Sequence, residues 1–382
     1  MGVYFRQNVP YKTFTISWEE KSDMSSWWTY SDDAAWLTAW SSDFDEFFGY
    51  SGVRLSTAWV ETAEITQTQS WWAWKLDITQ LWTLTSWDNV MIKFPLRWVK
   101  MSKSGSIVTL SITDNPNAEW YQYYAHSIWT LSNPWTPNDA FYLWTYKWYD
   151  SNNNWIIFSR SWYWPSVNRT QSTLCTQAKA NGSWYNIIGF YQRQYINALY
   201  MMKYWNPNGQ SVIWKWYTWW SAKTNTWGTN SQTDATYWTS SSTTQMKLFG
   251  LEDWWGNVYE WVWGVYVDAN LELYTLLSWF NGTLTWGEWT WTVLLASQSG
   301  DISLIWWTNK GMFVPLWFVS DATYSTYYGA YGSSRSSRLS YAWWRWSAWT
   351  SAWPFYIDLY STTATSGFAD VGWRIMYMNW LT

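Results

Sequence analysis

Apolar and polar residues alternate with a period of two along much of this chain, and helical spacing replaces that alternation in only two places. Val258, Tyr259, Glu260, Trp261 and Val262 alternate directly after a Gly256-Asn257 pair. Asn and Gly tolerate the left-handed turn conformation, so this stretch predicts a turn that enters a strand with one buried face. Shorter alternating runs at 53–56 and 75–78 predict early strands. Two more are expected over 90–100 and 106–113, joined through Ser102-Lys103-Ser104-Gly105 as a hairpin turn. Further strands are predicted at 140–147, 271–277 and 289–296, with another buried-looking run at 311–316.

The period lengthens over 171–181, where Ser172 or Thr173 is a candidate cap, and over 186–204. In the second stretch Ile187, Phe190, Tyr191, Tyr195, Ala198, Leu199 and Met202 recur every three or four residues, which makes the Met and aromatic stripe a core face. Residues 150–154 read as a loop, and 207–244, rich in Ser, Thr, Asn and Gly, read as a long irregular surface loop. The pattern therefore predicts an α+β protein. Residues 1–85 read as a small β-rich N-terminal domain for assembly or attachment, or as an extension packed on the main domain. Their acidic cluster at 43–46 could bind a cation but reads first as a solvated loop.

Composition narrows the function classes. A chain of 382 residues suggests two or three domains with ample material for a core. Charged residues are 13% against the usual ~25% and the net charge is −4, with no basic block of the kind that nucleic-acid binding needs. Cys175 is the only cysteine and His126 the only histidine, which leaves no internal disulfide, no Cys-rich zinc site and no multi-His metal site. No run of 18 or more apolar residues is present, so no transmembrane segment is expected. The opening MGVYFRQNVPYKTF lacks the apolar core of a signal peptide, so export by that route is not expected.

One feature of the composition is anomalous. The chain holds 46 Trp but 19 Gly, where average usage of about 7% would give roughly 27 Gly. Many of these Trp stand in turn contexts, such as Asn133-Pro134-Trp135-Thr136-Pro137 and Tyr204-Trp205-Asn206-Pro207, where glycine is the usual residue. Two readings follow: a Trp-rich adhesive protein, or a gene whose UGA codons mean glycine in its own host and have been read as Trp.

Three motifs carry a resemblance to a known family. The G-N-V-x-E-W core of 248–264 (LFGLEDWWGNVYEWVWG) resembles the signature of the formylglycine-generating-enzyme type of C-type lectin fold. The stretch 341–359 (YAWWRWSAWTSAWPFYIDL) resembles its R-G-G-S-W … A-G-x-F segment, and 371–375 (VGWRI) its closing G-F-R. The resemblance spans roughly residues 90–382. It implies a C-type-lectin-like domain over 86–382, with a twisted antiparallel sheet, two helices and long loops, following the small domain of 1–85. Within the motifs, Trp343, Trp344, Trp349, Trp353 and Trp373 stand where the family pattern has glycine, while Trp261 and Trp346 stand where it has Trp. Gly256, Asn257, Glu260, Trp261, Trp346, Gly372 and Arg374 are the implied structural residues.

The family contains sulfatase-modifying enzymes and the variable proteins of diversity-generating retroelements, including the major-tropism-determinant type of a phage tail. The enzymes use a pair of copper-holding cysteines, or histidines around iron. One Cys and one His supply neither, so no catalytic residue and no catalytic metal are expected. Some members hold structural calcium near the turn, which here would fall to Asn257 and neighbouring carbonyls; no other cofactor is implied. Glu252-Asp253 could serve acid–base chemistry, or hydrogen-bond the turn before Asn257.

The 320–375 region interleaves Tyr, Ser and Arg, the chemistry of an adaptable contact surface; a Ser/Tyr-rich loop with no ligand is the plainer alternative. In the retroelement proteins the ligand face lies between the last two motifs. The matching positions here are Tyr341, Arg345, Ser347, Thr350, Ser351, Tyr356, Asp358 and Tyr360. The function so implied is receptor binding by a phage-tail or cell-surface adhesin with a hypervariable face. The partner would be a protein or glycan on another cell, and the chain, on a phage particle or bacterial surface, a homo-oligomer. The alternatives are a divergent formylglycine-generating-type oxidoreductase and a tail or surface component with no specific ligand.

Overall fold

The structure, a computed structural model, describes residues 10–19, 28–56, 61–64, 67–69, 74–76, 89–126, 137–147, 149–150, 157–159, 161, 163–182, 184–206, 213, 224–226, 228–239, 245–267, 272–275, 291–294, 299–307, 313–319, 332–333, 338–342, 358–362 and 371–378. The class is α+β, with mostly antiparallel sheets and few helices. Strand Thr13–Glu19 shows how alternation produces the layers. Its Phe14, Ile16 and Trp18 are buried in the core, each worth about 1.5–3 kcal/mol of apolar burial. The other face carries hydroxyls that pair with the neighbouring strand Ile107–Thr113: Thr13 with Thr113 at 2.9 Å, Thr15 with Ser111 at 2.8 Å and Ser17 with Thr109 at 2.9 Å. Strands Trp28–Asp32 and Trp98–Ser104 complete this four-stranded sheet.

A six-stranded sheet runs in the order Tyr185–Ile187, Ile375–Met378, Ala140–Trp144, Asn89–Pro95, Ser51–Leu55, Glu61–Glu64. The strand expected over 90–100 breaks at Leu96-Arg97. Pro95 offers no N–H to extend the ladder, and the Leu96 N–H adds one further in-register bond, to the Asp139 carbonyl at 2.7 Å, before the chain leaves this sheet. Segments on either side of position 85 share these sheets, since Thr13–Glu19 pairs with Ile107–Thr113 and Ser51–Leu55 with Asn89–Pro95. They share a core as well: Phe14, Phe44 and Phe48 pack in one cluster with Ile92, Leu199 and Leu248.

The first helical stretch is the helix Gln171–Ala180, capped by Thr170, whose hydroxyl accepts the Thr173 N–H at 3.1 Å. The cap thus falls before both residues expected from the sequence. The second begins later than its apolar spacing suggests, as the helix Phe190–Tyr204. Tyr185–Ile187 instead pairs with Ile375–Met378 at the sheet edge, where Ile187 is buried as a strand residue. All of Phe190–Tyr204 is buried, although a helix buried on every side is normally apolar throughout. Its polar side chains therefore need partners, and Gln192 donates to the Ala125 carbonyl at 2.6 Å.

The largest departure from the sequence reading is at 43–46. The expected solvated loop is the helix Asp43–Phe48, which buries Phe44, Phe47 and Phe48 and ends on Gly49 in the left-handed conformation. Asp45 is fully buried and accepts a hydrogen bond from Lys203 at 2.7 Å, with both side chains sealed from solvent. A carboxylate in an amphipathic one-turn helix could not announce a partner 158 positions away.

Breaking a buried ion pair on one side leaves the other charge unpaired, at a cost of roughly 3–5 kcal/mol. Asp45→Ala should therefore lower the unfolding free energy by that amount in urea titration. An Asp45→Leu, Lys203→Met double variant should recover most of the loss.

Candidate functional site

The family-like motifs meet at Glu260. It lies on the central strand Tyr259–Val267, where it pairs with Gly372 in parallel register on one side and with Ala342 in antiparallel register on the other. Its carboxylate is fully buried and receives three cations: Arg193 at 3.2 Å, Arg374 at 3.3 Å and Lys147 at 3.8 Å. Arg374 is as deeply buried and spends its remaining donors on backbone carbonyls. It donates to Thr145 at 2.7 Å, and also to the carbonyls of Trp144 and Glu252. The planar guanidinium suits this task because its donors point in fixed, divergent directions. One residue earlier, the buried Trp373 joins the core around Trp261. The backbone completes the joint, with Ile188 N–H on the Arg374 carbonyl and Trp263 N–H on the Ile188 carbonyl, each at 2.9 Å.

The turn is built the same way. Gly256 and Asn257 both take positive φ, 91° and 65°, as Gly-Asn chemistry predicts. Asn257 donates to Asp253 at 2.8 Å and to the Thr224 carbonyl at 3.1 Å, and its amide oxygen accepts the Thr224 N–H at 3.0 Å. The carbonyls of Gly256 and Val258, which the resemblance offers to calcium, accept from the Lys147 ammonium at 2.8 and 2.6 Å. Burial pulls Lys147 down to about 8, with Glu260 and Asp253 working in the other direction. Lys147 is a connection that sequence reasoning missed: it ends a predicted strand, and nothing local marks it as the cation that closes a turn 109 residues later.

Glu252 and Asp253 bond inward. Glu252 accepts from the Thr229 N–H at 3.0 Å and from Gln245 at 3.3 Å, and Gln245 also donates to Asp253. Burial and then the adjacent Asp253 charge push Glu252 above the ordinary carboxylate range. The arrangement holds the turn, as the second of the two readings of this pair expects. Among the described residues no group of three or more His, Cys, Asp or Glu side chains is placed to hold a metal ion.

Of the ligand-face positions, Tyr341, Asp358 and Tyr360 are described, and Arg345, Ser347, Thr350, Ser351 and Tyr356 lie outside the described residues, as does Trp346. Strand Arg338–Ala342 lies beside the central strand, with Tyr341 opposite Trp261. Strand Asp358–Thr362 lies beyond it, with Asp358 opposite Tyr341. In the described part of this sheet, Asp358–Thr362 is the outermost strand on that side. The backbone thus brings Tyr341 and Asp358 together one strand away from the Glu260 cluster.

The two residues with independent chemistry are sealed. Cys175 is buried on the helix Gln171–Ala180, and burial pushes its thiol far above the ordinary range. His126 is fully buried between the Phe141 and Tyr195 rings, with centroids at 4.8 and 4.9 Å, and its Nε2 lies 3.3 Å from the Phe94 carbonyl. A small cleft alongside, lined by Arg97, Gln122, Tyr123, Tyr191 and Tyr195, has about 10 Å³ of free space, the room of a single water. Among the described residues no helix is long and apolar enough to cross a membrane. No family model matches the chain, and no curated protein matches it.

Two measurements follow from this geometry. Arg374→Met strips Glu260 of one cation and three carbonyls of their donor, so it should cost roughly 3–5 kcal/mol in chemical denaturation. Arg193→Met, which removes one ion pair, should cost less. Burial lowers the His126 pKa to about 3, below the unfolded value of about 6.5. The unfolded chain therefore takes up a proton that the folded chain refuses, and stability present above pH 6.5 is lost as pH falls toward 3. From pH 7 to pH 5 this one group should remove about 2 kcal/mol, and His126→Gln should show a correspondingly shallower acid decline.

Proposed function

We propose that this chain is a receptor-binding protein of phage-tail or cell-surface adhesin type. It would be a C-type-lectin-like scaffold of the formylglycine-generating-enzyme kind, displaying variable side chains over 341–360 toward a protein or glycan on another cell. The observation that carries the proposal is strand register. Tyr341 and Asp358 stand opposite each other in register, on a strand paired to the central strand and on the next strand out, and the central strand's Glu260 is locked by Arg193, Arg374 and Lys147. A binding face that tolerates many side chains needs a backbone fixed by residues outside it. Here the fixing residues are buried and separate from the proposed face. The sealed thiol of Cys175 and the sealed imidazole of His126 favour binding over redox chemistry, since the reactive species would be a thiolate with access to substrate.

Sequencing the 3′ end of the gene across its natural population tests this. Substitutions should concentrate at the codons of Arg345, Ser347, Tyr356, Asp358 and Tyr360, with a near-copy repeat and a reverse transcriptase nearby. An invariant, isolated 3′ end would overturn the variable-receptor reading. At the protein level, Arg345→Ala, Tyr356→Ala and Asp358→Ala together should abolish adhesion to the target cell. Each should change the unfolding free energy by less than about 0.5 kcal/mol. Copper-dependent oxidation of a sulfatase-derived cysteine peptide by the purified protein would replace the proposal with the enzyme.

A further inference from the structure

Eight non-glycine residues among those described have positive φ. Four of them, Asp32, Asn168, Asp253 and Asn257, are the residue types whose short polar side chains tolerate that region. A fifth, Phe249 at 50°, is followed by Gly250 at 85° in the two-residue turn joining Lys247–Leu248 to Leu251–Glu252. That hairpin turn demands positive φ at both central positions, and the Phe249 ring is fully buried, packed against Phe48, Tyr50 and Tyr204. The remaining three are all tryptophans: Trp40 at 78°, Trp120 at 67° and Trp205 at 53°. For a bulky residue this conformation is an outlier.

Trp205 shows what the backbone asks for. The helix Phe190–Tyr204 ends on it in the left-handed conformation, with its N–H on the Met201 carbonyl at 2.8 Å. The helix Asp43–Phe48 ends in the same way on Gly49 at φ 68°, with its N–H on the Asp45 carbonyl at 2.9 Å. This is the helix stop for which glycine is strongly preferred. One chain thus uses the same stop twice, with glycine in one case and tryptophan in the other. Trp40 repeats the demand where the chain meets that helix end, its N–H on the Lys203 carbonyl at 3.1 Å. Trp120 is the sharpest case: it holds the left-handed conformation with 82% of its surface exposed. Unlike Phe249, it gains almost no burial in return.

We propose that Trp40, Trp120 and Trp205 occupy glycine positions, their codons being UGA triplets that the protein's own host reads as glycine. Tryptophan and UGA codons differ only in the third base, so a single misassigned triplet produces this substitution and no other. The backbone dihedrals of the three residues are independent of the family resemblance and of whether the chain binds a receptor. Such a reassignment also bears on the 46 Trp and 19 Gly of the whole chain, since each such site moves one residue from the first count to the second.

Reading the three codons and determining the masses of the matching peptides from protein made by the native host tests the proposal. UGA codons with peptide masses for glycine are the expected result. UGG at all three positions, or tryptophan masses in the peptides, would overturn it. A stability comparison in recombinant protein probes the same claim without the gene. At an ordinary helical or extended position alanine is at least as stable as glycine, whereas at positive φ glycine is favoured. Trp120→Gly should therefore melt several degrees above Trp120→Ala, although both remove the exposed ring. An alanine variant equal to or better than the glycine variant would remove the conformational ground for the proposal.

Discussion

A carboxylate buried in the protein interior must be met by positive charge and hydrogen-bond donors, or its burial is too costly to sustain. Glu260 is in that position, and three cations from three separate parts of the chain converge on it: Lys147 after a strand, Arg193 on a helix and Arg374 near the C-terminus. None of the three is local to Glu260, so their convergence can occur only when the long-range topology is correct. Such a cluster adds little net stability over an apolar core of the same shape. Its penalty for mispairing is large, because removing one partner leaves an uncompensated buried charge.

The helix Phe190–Tyr204 transmits this constraint. Arg193 in its first turn is tied to Glu260, and Lys203 in its last turn is tied to Asp45. Ten residues at 1.5 Å rise separate the two ties by about 15 Å, so one buried helix carries an ion pair at each end. It joins the motif-bearing strands to the N-terminal helix Asp43–Phe48. The Tyr30 hydroxyl reinforces that second joint by donating to the Met202 carbonyl at 2.9 Å. Packing of Phe14 on Phe47 at 4.0 Å, and of Phe44 edge-on to Phe14 at 5.6 Å, fills the space around it.

What the sequence showed and what it hid divide along the same line. Period-two alternation located strands such as Ile107–Thr113 and Ala140–Trp144 because it reports directly which side chains share a face, and the Gly256-Asn257 turn was legible from the conformational tolerance of those two residues. The break after Pro95 was legible in principle, since proline removes a ladder donor. The start of the long helix was not, because Ile187 fits helical and strand periodicity equally well and only pairing with Ile375–Met378 decides between them. Asp45 and Lys147 were the least legible. Each looks like a solvated charge in its local sequence, and only contacts more than a hundred residues away turn it into a core residue.

Among the described residues, strand pairing ties the proposed binding face to this core through the central strand. Gly372 pairs with Glu260 in parallel register, while Ala342 on the opposite flank begins the pairing that leads outward to Tyr341 and Asp358. Ladder hydrogen bonds join those outer strands through backbone N–H and C=O groups, which every residue but proline supplies alike. The charged cluster anchors the central strand at Glu260, and strand pairing, with an irregularity in register at each step, extends from it by one strand and then a second. Variation at the edge therefore need not disturb the buried ions, and loss of a buried ion would misplace the edge without touching any residue in it.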